Sequence, residues 1–120
     1  AYRPRDSWTV SEDLATVVFH EESLKRRFYN DCSDGDIEWA KPMLVPQPTG
    51  PLIDQAQTTA QNFGRVSKVY IECEIDVALP LDYQRKLQAN GPCDRIITMG
   101  TGHSPFLSAP VELVAHLVSI

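Results

Sequence analysis

The chain has 120 residues, of which 42% are hydrophobic and 22% charged, which is the composition of a soluble globular domain or of a part of one. Its formal net charge of -5 gives no electrostatic reason to expect binding to nucleic acid or to an anionic membrane surface. No apolar run approaches the ~20 residues that span a bilayer, and an odd set of three cysteines without a C-x-x-C pair favours a reducing compartment, for which we expect the cytoplasm.

The first half of the chain gives a mixed secondary-structure signal. Residues 11–28 are ambiguous, because the helical spacing of some apolar residues competes with a β-branched and aromatic run at 16–19. Ser33 and Asp34 are both good N-caps for a segment that predicts a helix through Ala40, and Pro42 should kink or end that helix. The sequence therefore predicts one short helix here and leaves the segment before it open.

A proline-rich stretch separates the two halves of the chain. Prolines stand at positions 42, 46, 48 and 51, with Gly50 among them. Proline lacks the N–H that a helix interior or a central strand needs. We therefore expect neither a helix nor a central strand in this stretch.

The second half alternates strand and helix signals. Short β-rich runs occupy residues 68–73 and 94–99, and each is too short for a typical helix. Residues 81–90 between them predict a helix that Gly91 and the following proline stop. A final amphipathic helix opens at Pro110, with a proline and an acid in its first turn. This order, β-α-β-α, predicts an α/β fold with a parallel sheet flanked by helices.

The loops that leave the two strands carry the reactive side chains. Asp76 follows the first strand and His103 follows the second. Because the carboxyl ends of parallel strands meet at one edge of a sheet, we expect these two side chains to come close together. A carboxylate fixes the tautomer of an imidazole and stabilises the imidazolium in acyl transfer. Spacing alone leaves a structural role for both residues equally open.

The same segments resemble a known family in detail. The matching pieces are KVYIEC at 68–73, Asp76 with ALP shortly behind it, Gln84, DRII at 94–97, and GHSPFLSAP at 102–110 ahead of the closing helix. They resemble the end of the plant methylesterase and hydroxynitrile-lyase branch of the α/β-hydrolases. The resemblance implies the C-terminal part of an α/β-hydrolase fold, in which Asp76 is the triad acid and His103 the general base.

The first half resembles the same family more loosely. FYNDC at 28–32, the segment around Trp39 and the proline stretch are similar to the family's lid, or cap, over the active site. The resemblance implies a cap segment over residues 1–55 and the C-terminal part of the hydrolase core over residues 56–120. It also makes Trp39 and Phe28 candidate substrate contacts, although a packing role is the more common use of such aromatic residues.

The serine of the family's triad has no counterpart in this sequence. In the family it lies in a G-x-S-x-G elbow between a strand and a helix, and none of the six glycines begins that motif. We therefore expect the N-terminal part of the hydrolase, in the same polypeptide or in a companion chain, to supply it. Two parallel strands alone make a poor sheet, so we do not expect the 120 residues to fold independently.

Three functions remain open from the sequence. The resemblance implies hydrolysis of a small-molecule ester by a Ser-Asp-His triad without a cofactor. A hydroxynitrile lyase is an alternative, which Ser104 disfavours because lyase members commonly carry a lysine after the histidine. Ser104 itself is a weak candidate nucleophile, since neighbours in sequence rarely face each other. A non-catalytic protein that holds a small apolar ligand in the same fold is the third possibility.

The sequence predicts neither a metal site nor a nucleotide site. The remaining histidines and the cysteines lack metal-ligand spacing. Asp31, Asp34 and Asp36 resemble the start of a calcium loop, but Met43 stands where a glutamate should close it. The glycines at 100 and 102 begin a nucleotide-loop pattern that Pro105 breaks.

Overall fold

The computed structural model describes residues 7–120, which form two small sheets with short helices. The strands are β1 (Trp8–Val10), β2 (Thr16–Phe19), β3 (Gln47–Pro48), β4 (Val69–Cys73) and β5 (Arg95–Met99). The α-helices are α1 (Glu21–Ser23), α2 (Asp34–Ala40), α3 (Gly50–Ile53), α4 (Leu81–Asn90), α5 (Pro105–Ser108) and α6 (Pro110–Leu117). A π-helical turn covers Leu24–Phe28, and 3-10 turns cover Lys41–Met43 and Phe63–Arg65. None of the described helices is long and apolar enough to cross a bilayer.

The first sheet is antiparallel, with the strand order β1-β2-β3. Strands β1 and β2 form a hairpin in which Trp8 pairs with Phe19, and their rings meet edge to face. Pro48 lies in the edge strand β3, where its missing N–H does little harm. The ambiguous segment at 11–28 thus contains both predicted kinds of structure, since strand β2 is followed directly by helical turns.

Helix α2 forms as predicted, and its start is fixed by a capping box. The Ser33 hydroxyl accepts a hydrogen bond from the Asp36 N–H, and the Asp36 carboxylate accepts one from the Ser33 N–H. The helix ends at Ala40, ahead of Pro42. Its inner face carries Ile37 and Ala40, which pack against the buried Tyr29 in the cluster that holds this part of the chain together.

The prediction that the proline-rich stretch holds no helix is wrong at its end. Helix α3, Gly50–Ile53, has Pro51 in its first turn. A first-turn proline costs little, because the N–H at that position has no partner within the helix anyway. Pro42 likewise lies in the short 3-10 turn that follows α2.

The second sheet is the parallel pair that the sequence predicts. Strands β4 and β5 run in register from Val69 opposite Arg95 to Cys73 opposite Met99. Helix α4 connects them over the predicted residues and is followed by Gly91. Met99 is fully buried, whereas half of Ile96 is exposed to solvent. The α/β architecture is therefore confirmed, with one side of the pair left open.

Helix α4 turns a polar face toward the strands. Gln84 and Gln88 are buried, while Tyr83 is 51% exposed. Gln88 donates to the buried Glu72, which also accepts hydrogen bonds from Arg85 and Thr98. These donors, with Arg85 the strongest, lower the pKa of Glu72 to about 2. Hydrogen bonds to an ionised carboxylate, rather than an apolar stripe, thus join α4 to β4 and β5.

The last helix is preceded by a helical turn that the sequence did not predict. Helix α5, Pro105–Ser108, occupies part of the loop expected after β5, and α6 then starts at the predicted proline. The apolar stripe of α6 faces solvent, with Val111 83% and Val114 56% exposed, and Val118, directly after the helix, is 81% exposed. Among the residues that the structure describes, this apolar face of α6 is therefore left uncovered.

Candidate active site

Asp76 and His103 meet at the carboxyl ends of the two parallel strands. The Asp76 Oδ2 lies 2.9 Å from the His103 Nδ1. The Asp76 side chain is 6% exposed and the His103 side chain is 31% exposed. The two side chains are therefore as close together as the sequence predicts. The Asp76 carboxylate is enclosed, whereas the His103 imidazole is accessible to solvent. The catalytic roles of the two groups stay a prediction.

Backbone donors fix the orientation of the Asp76 carboxylate. Its Oδ1 accepts hydrogen bonds from the N–H groups of Ala78 and Leu79, both at 2.8 Å. This turn is the reason that an aspartate suits the loop, since its short side chain bonds its own backbone two and three residues on. With Oδ1 engaged in this way, Oδ2 is directed at His103.

Gln84 holds the strand end that carries this loop, a role that the sequence analysis missed. Its Oε1 accepts from the Cys73 N–H at 3.0 Å, and its Nε2 donates to the carbonyls of Cys73 at 2.9 Å and Leu79 at 2.7 Å. The side chain is 97% buried, since only 3% of the residue is exposed. A glutamine in the helix directly after the Asp76 loop, among the residues that carry the family resemblance, is the signal in the sequence that points to this role.

The ring of His103 is supported from the first half of the chain. Phe28 packs edge to face against it, with ring centroids 5.3 Å apart and planes at 68°. Phe28 in turn packs against Phe19, with ring centroids 4.9 Å apart.

The hydrogen bond to Asp76 determines which nitrogen of His103 carries a proton. Because an ionised carboxylate only accepts hydrogen bonds, the His103 Nδ1 carries the proton that faces Asp76. Its Nε2 is then the nitrogen that can take a proton from a nucleophile.

A cavity of about 280 Å³ lies beside His103. The side chains that line it are mainly apolar: Phe19, Leu24, Phe28, Leu44, Val45 and Phe106, with His103 and Ser104 among the polar ones. An apolar cavity with a few polar groups is the usual form of a site for a small organic molecule. The first half of the chain provides most of its walls, and the second half provides the imidazole.

Two consecutive residues of the first half, Asn30 and Asp31, each form a hydrogen bond to the second half. Asn30 Nδ2 donates to the Ile75 carbonyl at 2.9 Å. Asp31 Oδ2 accepts from the Gly102 N–H at 2.6 Å. The sequence places Asn30 and Asp31 only in the segment that resembles the family's cap, and predicts no contact of either residue with the second half. Both contacts lie one residue before the candidate acid or base.

The two aromatic candidates for substrate contact lie in different surroundings. Phe28 lines the cavity and touches His103. Trp39, on helix α2, is 61% exposed and is not among the cavity's lining residues. The structure therefore brings only Phe28 to the candidate acid and base.

Neither Ser104 nor the thiols of Cys32 and Cys73 offer a ready nucleophile. Ser104 is 2% exposed, and its carbonyl accepts from the N–H groups of Leu107 and Ser108 at the start of α5. Burial and the neighbouring Asp31 raise the pKa of the Cys32 thiol to about 11, and burial also raises that of Cys73. Thiols with raised pKa values are largely protonated at neutral pH and react poorly.

Within residues 7–120, no group of three or more histidine, cysteine, aspartate or glutamate side chains could hold a metal ion. The polar side chains that line the cavity are those of Tyr29, Gln47, His103 and Ser104. Of these, the His103 imidazole, with the Asp76 carboxylate behind it, is the group suited to proton transfer.

The chain is similar in sequence to plant esterases. No protein-family model matches the chain. It is 30% identical to methyl jasmonate esterase 1 of Vitis vinifera over 88% of this chain and 42% of that protein. It is 34% identical to methylesterase 9 of Arabidopsis thaliana over 93% of this chain and 44% of that protein. The chain thus spans less than half the length of these curated relatives.

A similarity in three dimensions extends over the same part of the chain. The crystal structure of a methylesterase from Arabidopsis superposes with a TM-score of 0.84 at 21% sequence identity. The match covers 93% of this chain and 51% of that structure. At this identity the superposition shows a shared fold, which includes both the first, cavity-lining half and the parallel pair.

Proposed function

Because this chain belongs to the methylesterase family of the α/β-hydrolases, we propose that it takes part in hydrolysis of a carboxylic ester and supplies the acid and the base of a catalytic triad. The observation that carries the proposal is the hydrogen bond between Asp76 and His103 at the edge of the cavity. In this arrangement the carboxylate orients the imidazole and stabilises its protonated form.

The proposed reaction is acyl transfer through a serine that is not among these 120 residues. His103 Nε2 takes the serine proton as the hydroxyl attacks the ester carbonyl, and then gives that proton to the leaving alcohol. Water repeats the attack on the acyl-enzyme, again with His103 as the base. Asp76 stays ionised throughout and holds the Nδ1 proton of His103. No cofactor takes part in this scheme.

The N-terminal part of the hydrolase, in the same polypeptide or in a companion chain, is the proposed source of the serine. Two features support this: the chain has no G-x-S-x-G motif, and the apolar face of α6 and Ile96 of β5 lack cover among the described residues. In a parallel α/β sheet such surfaces are normally covered by neighbouring strands and helices.

The cavity supports a small, largely apolar ester as the substrate. Its walls combine residues of the proposed cap segment, 1–55, with His103 of the proposed core segment, 56–120. Aromatic and aliphatic side chains bind apolar acyl or alcohol groups by burial. Three unpaired cysteines are consistent with a reducing location, and the cytoplasm remains our proposal for it.

The proposal is tested by labelling the full gene product, with any companion chain, using a fluorophosphonate that reacts with activated serines. We expect the label on a serine of a G-x-S-x-G elbow, and we expect His103→Ala to abolish labelling. Label on Ser104 would contradict the proposed division of the triad. Absence of any label together with tight binding of an uncleaved ester would favour the non-catalytic alternative.

A further inference from the structure

We propose that Asn30 and Asp31 act as positioning residues that hold the loops of the acid and the base at the distance that proton transfer requires. The pair is called the Asn30–Asp31 clamp below. The expected effect on kcat rests on the proposed function. The expected effect on the Asp76–His103 hydrogen bond does not depend on it.

The parallel pairing alone leaves both reactive residues some distance beyond the sheet. Paired residues end at Cys73 and Met99, so Asp76 lies three residues beyond the last pair and His103 four. Beyond the last pair, two backbone hydrogen bonds join the loops, from the Glu74 N–H to the Met99 carbonyl at 2.9 Å and from the Ile75 N–H to the Thr101 carbonyl at 3.1 Å. Both lie at the start of the loops, so a further bond next to each reactive residue limits its movement to what catalysis tolerates.

The Asn30–Asp31 clamp supplies a bond on each loop, next to the reactive residue. The Asn30 amide donates to the carbonyl of Ile75, which precedes Asp76. The Asp31 carboxylate accepts from the N–H of Gly102, which precedes His103. The second bond, at 2.6 Å to a charged acceptor, belongs to the stronger class of hydrogen bonds. Because the donor and the acceptor come from adjacent residues, Asn30 and Asp31, their spacing fixes one loop relative to the other.

The clamp is itself anchored. The neighbouring Tyr29 is 7% exposed and packs with Ile37 and Ala40 in the buried cluster. The Cys32 thiol contacts the second carboxylate oxygen of Asp31 at 3.9 Å, and Phe28 supports the ring of His103. Residues 28–32 thus join a packed element to both loops and to the imidazole.

Gly102 provides an independent sign that the clamp needs close approach. A Cβ atom at this position would lie 2.3 Å from the Asn30 Oδ1 and 2.5 Å from the Asp31 Oδ1. No described glycine has a positive φ, so an alanine here meets steric conflict with the clamp and no backbone strain. Gly100, two residues earlier, offers a matched control, since its Cβ would approach only Glu74, at 3.8 Å.

The test compares four variants of the full gene product: Asp31→Ala, Asp31→Asn, Gly102→Ala and Gly100→Ala. Ester hydrolysis gives kcat and KM, and proton NMR gives the low-field resonance of the His103 Nδ1–H, which reports the hydrogen bond to Asp76 whether or not the protein is an esterase. We expect Asp31→Ala and Gly102→Ala to lower kcat by about 10²-fold with KM within about threefold, and to shift or broaden the resonance.

Asp31→Asn keeps an acceptor for the Gly102 N–H and should recover most of kcat, and Gly100→Ala should behave as the unaltered protein. A lowered melting temperature with unchanged kcat and unchanged resonance in both Asp31→Ala and Gly102→Ala would overturn the proposal, as would equal losses in Gly100→Ala. If the unaltered protein hydrolyses no ester, the proposed function fails, and the NMR comparison alone still decides whether the clamp sets the Asp76–His103 contact.

Discussion

The Asp76 carboxylate meets the His103 imidazole through one oxygen, Oδ2 to Nδ1 at 2.9 Å, while its other oxygen accepts two backbone N–H groups at 2.8 Å. The two oxygens therefore have different, fixed tasks. This arrangement fixes the plane of the carboxylate, because a partial rotation of the group would weaken all three hydrogen bonds at once.

This arrangement predicts the effect of Asp76→Asn. The two backbone donors will hold the amide oxygen in place of Oδ1, so the amide nitrogen will face His103. A donor there forces the imidazole proton to Nε2, the tautomer that cannot accept the serine proton. We expect kcat to fall by about 10⁴-fold. Asp82→Asn, at an exposed position on α4, is the control and should stay within about twofold; equal losses in both variants would refute the assignment.

The different surroundings of Phe28 and Trp39 predict different effects on substrate choice. Phe28→Ala opens the cavity beside His103 and should raise KM for an ester with an aromatic group by about tenfold, more than for an acetyl ester. Trp39→Ala, at 61% exposure, should change the ratio of kcat/KM values for the two esters by less than about threefold. A larger change in Trp39→Ala would instead show that Trp39 contacts the substrate, as the resemblance implies.

The low pKa of Glu72 predicts a pH dependence of stability. Its pKa is about 2 in the folded protein against an ordinary 4.5, so the ionised form stabilises the fold above about pH 4.5 and that contribution is lost as the pH falls toward 2. Urea unfolding of the full gene product should show a shallower decline over this range in Glu72→Gln. Glu74→Gln, two residues on and exposed, should keep the slope of the unaltered protein; identical slopes for all three proteins would contradict the role of Glu72.

The uncovered apolar surfaces predict that these 120 residues, expressed alone, form no stable monomer. Val111 on α6 and Val118 directly after it are more than four-fifths exposed, and Ile96 on β5 is half exposed. A two-stranded sheet with an open apolar face is marginal in water. Native mass spectrometry and thermal melting are the measurements. A cooperatively melting monomer of the expressed 120 residues would show that this prediction is wrong.

Local signals explain which parts of the molecule the sequence predicted. Strands β4 and β5, helix α4 and the loops of Asp76 and His103 follow from short-range periodicity and from the rule that parallel strands align their carboxyl ends. Helix α5 was missed because Pro105 was taken as a loop residue, although a first-turn proline is favourable. The hairpin partner β1 gave no pattern of its own over three residues.

The remaining features depend on residues that are distant in the sequence. Asn30 bonds Ile75 across 45 positions, and Asp31 bonds Gly102 across 71. No periodicity connects such pairs, so nothing in the sequence predicts that Asn30 and Asp31 contact the loops of Asp76 and His103. Gln84 and Glu72 were unassigned for the same reason, because buried polar residues acquire their partners only when the strands and helix pack together.

If His103 is the base of an ester hydrolase, the hydrolysis rate of a p-nitrophenyl ester depends on its imidazole. The measurement compares the unaltered full gene product with His103→Ala, and with His116→Ala, a histidine on α6 that pairs with Glu112, as the control. We expect kcat/KM to fall by about 10⁴-fold or more in His103→Ala and to stay within about twofold in His116→Ala. An unaltered protein that hydrolyses the ester at the same rate as His103→Ala would contradict the account.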